Sequence, residues 1–331
     1  DFGNITFVDS AGVDLDTSAS ANGDLFINAG TDGAVGGNLS ITATTGNITQ
    51  VVALAVTGTS SFTTSASNAT IGLSTVTTNA FSSAVTLSTT GSSANVTIDG
   101  GTTALILAAS SVGGNLTLRD GNASGITDTG TITVGGNLSA TTDAGSGVIT
   151  LDTLAVTGTI ALATNSGGAA TVVNASGLNL ATSTLTGTFS GTATTGDIAD
   201  AGTLTITGAA TFITRVDGSN IILDSSGNAY AAQVSLLADT GGSETFGNIT
   251  FVDSAGVDLD TSASANGDLF INAGTDGAVG GNLSITATTG NITQVVALAV
   301  TGTSSFTTSA SDATITLGTT TNAFTGAVTL S

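Results

Sequence analysis

The chain contains no proline, cysteine, methionine, tryptophan or histidine, and its only basic residues are Arg119 and Arg215. Without cysteine there is no disulfide, no thiolate metal site and no thiol nucleophile. With His and Lys missing as well, a Ser-His-Asp triad, a Cys-His pair and a Schiff base are all excluded. Two cations against 23 acidic residues leave a formal net charge of −21. Such a chain has little with which to hold a phosphate backbone, so nucleic acid is not an expected partner. No apolar run approaches the ~20 residues of a membrane-spanning helix; Val51–Val56 is typical and strand-sized. The single glutamate, Glu244, lies in a Gly-rich turn. That leaves a paired-carboxylate glycosidase without a burial-tuned acid. The chain is therefore not expected to be an enzyme.

What remains is Ser, Thr, Ala, Val, Asn and 46 Gly. The mean hydropathy of +0.43 is too high for a polar disordered coil. The dominant feature is a repeat. Phe2–Ser67 returns residue for residue as Phe246–Ser311, an offset of 244, and Thr78–Ser88 returns in modified form as Thr321–Ser331. Self-similarity on this scale signals a tandem array. The expected organisation is one continuous fold over 1–331, with 1–244 as a first super-repeat and 245–331 as the start of a second. Since the chain begins and ends inside the repeated stretch, it reads as a segment of a longer polypeptide.

Short alternating runs fill the chain. Val13 and Leu15 alternate with Asp14 and Asp16, Leu39 and Ile41 with Ser40 and Thr42, and Leu116 and Leu118 with Thr117 and Arg119. Period-two alternation over four to six residues, broken by Gly, Asn, Asp and Ser, marks half-buried strands and turns. Good helix formers are scarce. A submotif of one apolar residue, two small residues and a strand gives markers at Gly37, Gly58, Ser83, Gly114, Gly136, Gly158, Gly187 and Gly208, spaced 21, 25, 31, 22, 22, 29 and 21. A period near 22 holds about three strands of ~5 residues and three turns. The fold expected is all-β: a parallel, right-handed β-helix or β-solenoid of about 22–24 residues per coil. The 83→114 and 158→187 intervals read as insertions that bulge out as loops. A β-sandwich array is the rival, disfavoured by 4% aromatics.

VGGNLTLR (Val112–Arg119), VGGNLSATT (Val134–Thr142), LAVTGTSSFTT (Leu54–Thr64), LAVTGTIALAT (Leu154–Thr164) and GNITQ (Gly46–Gln50) resemble the repeats of the filamentous-haemagglutinin family. These are very large bacterial surface proteins with a right-handed parallel β-helix shaft, commonly exported by two-partner secretion. The resemblance implies an extracellular, cell-surface structural shaft. The alternatives are a self-assembling filament or sheath subunit, and a calcium-stabilised or ice-binding adhesin module. The implied partners are the chain itself, through continuation of one giant polypeptide or through end-to-end or lateral association, and a host or other surface.

Two sets of side chains are candidate sites. Asp9, Asp14, Asp16 and Asp24 recur as Asp253, Asp258, Asp260 and Asp268. Asp14 and Asp16 share the outward face if Val13 and Leu15 point inward, and hard oxygen ligands suit calcium. The sequence lacks an EF-hand loop and a calcium-binding β-roll nonapeptide. It favours the alternative, that these residues keep the surface soluble and block edge pairing. No other cofactor is expected. The second set is Asn-x-Ser/Thr, at Asn4, Asn38, Asn47, Asn115 and Asn137 among others. These are candidate glycan acceptors. Asparagine there is also accounted for by turn geometry or by an Asn ladder between stacked strands. Outward Thr suggest an ice-binding face, but Ser, Asp and Gly interrupt the array.

Overall fold

The computed structural model describes residues 3–16, 24–27, 33–101, 103–143, 145–238, 245–260, 268–272 and 277–331. The part of the repeat at Phe2 and the turn at Glu244 lie outside them. The described residues form strands and turns with no helix, in a parallel β-solenoid of about 13 turns. The chain forms two compact units, Asp1–Ala169 and Ala170–Ser331.

In the first unit a coil has three strands. Leu116–Asp120, Ile126–Asp128 and Ile132–Val134 make one coil, and Leu138–Thr142 and Ile149–Val156 supply the three sides of the next. Each residue lies on its counterpart one coil away. Leu116 pairs with Leu138 and Leu138 with Ile160, all parallel. Followed back through the unit, this column is Val13, Ile48, Ile71, Val96, Leu116, Leu138 and Ile160. Every member is buried. Alternation puts one residue in two inside, and stacking at the strand spacing of ~4.8 Å turns those residues into continuous apolar columns. Each fully buried Val, Leu or Ile contributes about 1.5–3 kcal/mol.

In the second unit one such column is Leu178, Ile198, Ile221, Ile249, Leu283, Ser304 and Val328. Phe212 meets Phe189 edge-on with ring centroids 5.3 Å apart, and Tyr230 stacks on Phe251 at 5.1 Å.

The corners explain the marker glycines and correct one expectation. Gly136 N–H donates to the Gly114 carbonyl at 2.9 Å, and Gly158 N–H to the Gly136 carbonyl at 3.0 Å. A Cβ on Gly158 would sit 2.6 Å from the Gly136 oxygen, so the column admits no side chain. Gly37 and Gly58 stack in the same way ahead of Leu39 and Ser60, and Ser83 continues that column ahead of Val85. However, Gly114 stacks on Ala94 and lies on a different corner from Ser83. The 83→114 interval is therefore no insertion. The glycine pair changes corner, while the coil from Asn95 to Asn115 spans only 20 residues. The longest coil falls inside the exact repeat, where Asn4 lies under Asn38 and Asn248 under Asn282, 34 residues on in each case.

Candidate functional site

The 34-residue coil carries about twelve residues more than its neighbours, and part of that surplus makes an extra strand. Asp24–Phe26 lies parallel beside Val13–Asp16, with Asp14 opposite Asp24. Asp268–Asn272 repeats this beside Val257–Leu259, with Asp258 opposite Asp268. The carboxylates of Asp14, Asp16 and Asp24 gather within 4.8 Å of one another, as do those of Asp258, Asp260 and Asp268. Like charges directly opposite on paired strands are destabilising, so each trio has a local electrostatic cost.

Three of the four aspartates expected in each set come together. Asp9 and Asp253 do not. Asp9 closes its own turn by accepting the Ala11 N–H at 3.0 Å. Asp253 is buried and accepts the Ala255 and Tyr230 N–H groups at 3.2 and 3.4 Å. Burial pushes its carboxyl above the ordinary range, against those N–H groups. Within the trios, Thr49 and Thr293 donate their hydroxyls to Asp14 and Asp258 at 2.9 and 2.8 Å. The first trio is half-buried. In the second, Asp260 and Asp268 are buried, and Val234–Ala238 pairs along the strand that carries Asp268. Three carboxylates at this spacing form the hard-oxygen set that Ca²⁺ accepts. They equally form a like-charge cluster of a polar surface. Chelation separates the two, since only an ion-held trio loses melting temperature.

The sequon asparagines form ladders. Asn4 Oδ1 accepts the Asn38 N–H, and Asn38 Oδ1 accepts the Thr59 N–H, both at 2.9 Å. Asn95, Asn115 and Asn137 continue the arrangement at the other corner, each Oδ1 taking the N–H one coil on, at 2.8–2.9 Å. Asn47 does the same for Thr70. Asn4, Asn38, Asn47, Asn115 and Asn137 are all exposed. The sequon pattern follows from the coil. A ladder Asn sits at the corner, a buried Leu or Ile such as Leu116 starts the strand, and an outward Ser or Thr such as Thr117 follows. At the equivalent rung in the second unit Asp197 accepts the Asn220 N–H at 2.7 Å, so a carboxylate does the same work. Asn137→Ala is expected to cost about 1 kcal/mol, and Asn137→Asp to keep most of it. Chemical denaturation of the two variants checks this; equal losses would refute a ladder role.

Sequence reading missed two groups of buried polar residues. Gln50 donates to Asn79 Oδ1, which also accepts the Leu54 N–H. The pair recurs as Gln294 and Asn322, with the Leu298 N–H. The other group, Asp99 and Asp120, ends successive strands in the first unit. The only signal for it was Asp120 at the inward phase set by Leu116 and Leu118; Asp99 follows the outward phase of its strand, in register with Arg119.

In the second unit a cavity of about 460 Å³ is lined by Tyr230, Asp258, Asn291 and Thr293 and neighbouring small residues. Within the lining, Thr293 donates its hydroxyl to Asp258. The Tyr230 hydroxyl is buried, and burial pushes its pKa well above the ordinary phenol value.

A family model described as repeats of unknown function (DUF5649) matches residues 3–88, 93–163, 167–237 and 246–331. Each matched stretch spans about three coils. No curated protein and no solved structure matches the chain.

Proposed function

The chain belongs to the DUF5649 repeat family, and on that footing we propose that it serves as the structural shaft of an extracellular, cell-surface fibre and performs no catalysis. The observation that carries this reading is the coil itself. Each strand hydrogen-bonds to the strands above and below it, and each apolar column passes from coil to coil. Further coils therefore add length without a new core having to be designed. The 244-residue duplication is the sequence counterpart of that property.

The residue inventory supports the same reading. No Lys and two Arg leave trypsin-like proteases almost nothing to cut, and the absence of Met and Cys removes the side chains that oxidise most readily. The surface-protein part of the proposal rests on the resemblance of VGGNLTLR and its relatives to filamentous-haemagglutinin repeats. Antibodies raised against the 331-residue chain test it. They are expected to label intact, unpermeabilised cells of the source as surface fibres; labelling only after permeabilisation would overturn the proposal. The mass of the labelled polypeptide in denaturant then separates one giant chain from assembled subunits.

A further inference from the structure

We propose that Asp120, set among Asp99, Arg119 and Asp143 on three successive coils of the first unit, acts as a proton-operated lock that holds these coils closed while its carboxyl is neutral and loosens them when the proton leaves to solvent.

The argument begins with position. Asp120 ends the strand Leu116–Asp120 at an inward phase and is fully buried. Its register partner one coil on is Thr142. Thr142 donates its hydroxyl to the Gly147 carbonyl at 3.0 Å, five residues ahead. Thr64 and Thr89 make the same five-residue contact at their own corners, at 3.2 and 2.9 Å. This kind of corner takes a hydrogen-bond donor. An ionised carboxylate can only accept, whereas a neutral carboxyl carries one O–H donor. Asp120 Oδ2 accepts the Asn122 N–H at 3.1 Å, and Oδ1 is buried with no partner. It packs so close to Gly100 of the preceding coil that a Cβ there would lie 2.6 Å from it.

The surrounding charges do not neutralise Asp120. Asp99, on the preceding coil, is buried, and its Oδ1 accepts the Gly101 N–H at 2.8 Å. Arg119 follows the opposite phase of its strand and points outward, where it hydrogen-bonds Asp143 and lies 3.8 Å from Asp99 Oδ2. One guanidinium thus serves two carboxylates, neither of them Asp120. Asp143 follows Thr142, and its N–H donates to the Asp120 carbonyl at 2.9 Å. Asp128, on the neighbouring strand, is engaged by the Asp152 and Thr153 N–H groups one coil on.

These surroundings push Asp120 up to about 7, chiefly through burial, with the charges of Asp99 and Asp143 adding to it and the Asn122 N–H opposing. Burial raises Asp99 too, against the Gly101 N–H and Arg119. In the unfolded chain an Asp carboxyl titrates near 3.9. Between that value and about 7 the folded state binds more protons, so stability is greatest in acid, falls as pH rises through this window, and is level above it.

The test is the melting temperature of the whole 331-residue chain from pH 5 to pH 8, at fixed ionic strength. The wild-type value is expected to fall by about 5 °C across the window. Asp120→Asn keeps a permanent N–H donor and is expected to lose most of that slope and to melt at or above wild type at pH 8. Part of the slope is expected to remain, from Asp99 and Asp253. Asp120→Thr, the residue that stands in register one coil on, should behave likewise and serves if the Asn variant misfolds. A wild-type melting temperature that does not fall, or an undiminished slope in both variants, would overturn the lock.

Discussion

Gly158→Val is expected to lower the stability of the first unit by about 3 kcal/mol or more. A Cβ at this position would lie 2.2 Å from Asn137 Oδ1, 2.6 Å from the Gly136 oxygen and 2.8 Å from the Gly136 carbonyl carbon. Two of those atoms are backbone, and they cannot move aside. Gly136 stands just as close to the coil beneath it, with Asn115 Oδ1 2.3 Å from where its own Cβ would be. The strain therefore passes along the column, and the coil interface must open. In a stack held by nearest-neighbour contacts, one broken interface separates the coils on either side of it. The expected result is a melting temperature lower by roughly 6–12 °C, with new protease cleavage near residue 158. Gly145→Ala is the control. Its Cβ would meet nothing nearer than 3.8 Å, and a change within about 0.5 kcal/mol is expected. If the two variants melt together, close corner packing is not what requires glycine at 158.

Phe212→Ala is expected to cost the second unit about 3–5 kcal/mol. The ring is fully buried between Phe189 and Tyr230, with centroids 5.3 and 6.4 Å away. One coil back, its register partner is Gly191. Gly191 leaves the space that the Phe189 ring occupies, since a Cβ there would lie 2.7 Å from Phe189 Cζ. Large and small residues thus fill the column jointly, and removing Phe212 leaves a void that neighbours fixed by strand hydrogen bonds cannot close. Phe212→Leu keeps most of the volume and should cost less than about 1.5 kcal/mol. Urea unfolding of both variants measures the difference. Equal losses would mean that the aromatic packing, not the filled volume, carries the stability.

The two predictions rest on features of different legibility. That residue 158 is a turn glycine and residue 212 a core residue follows from local pattern: paired small residues before a strand, and an apolar residue at the inward phase. How close the neighbouring coil comes is a property of the stack, as is the way Gly191 makes room for Phe189.

The sequence by itself determined the fold class, the coil length near 22 residues, the strand phases and the corner glycines. The reason is that period-two alternation and turn chemistry act within five or six residues. It also put Asp14, Asp16 and Asp24 in one candidate set. Only the tertiary structure decided which corner each glycine pair occupies and which residue lies on which. From one coil to the next, parallel register here joins residues 19 to 35 apart, and it depends on the whole length of each coil. That length made the 83→114 interval a change of corner, and made the 34-residue coil double back to set Asp14 against Asp24. It left Asp9 in its own turn. It also placed Asp120, an ordinary acidic residue in the sequence, where the next coil has a buried Thr142. Burial and register, which no local pattern encodes, are what give that carboxyl a reason to keep its proton.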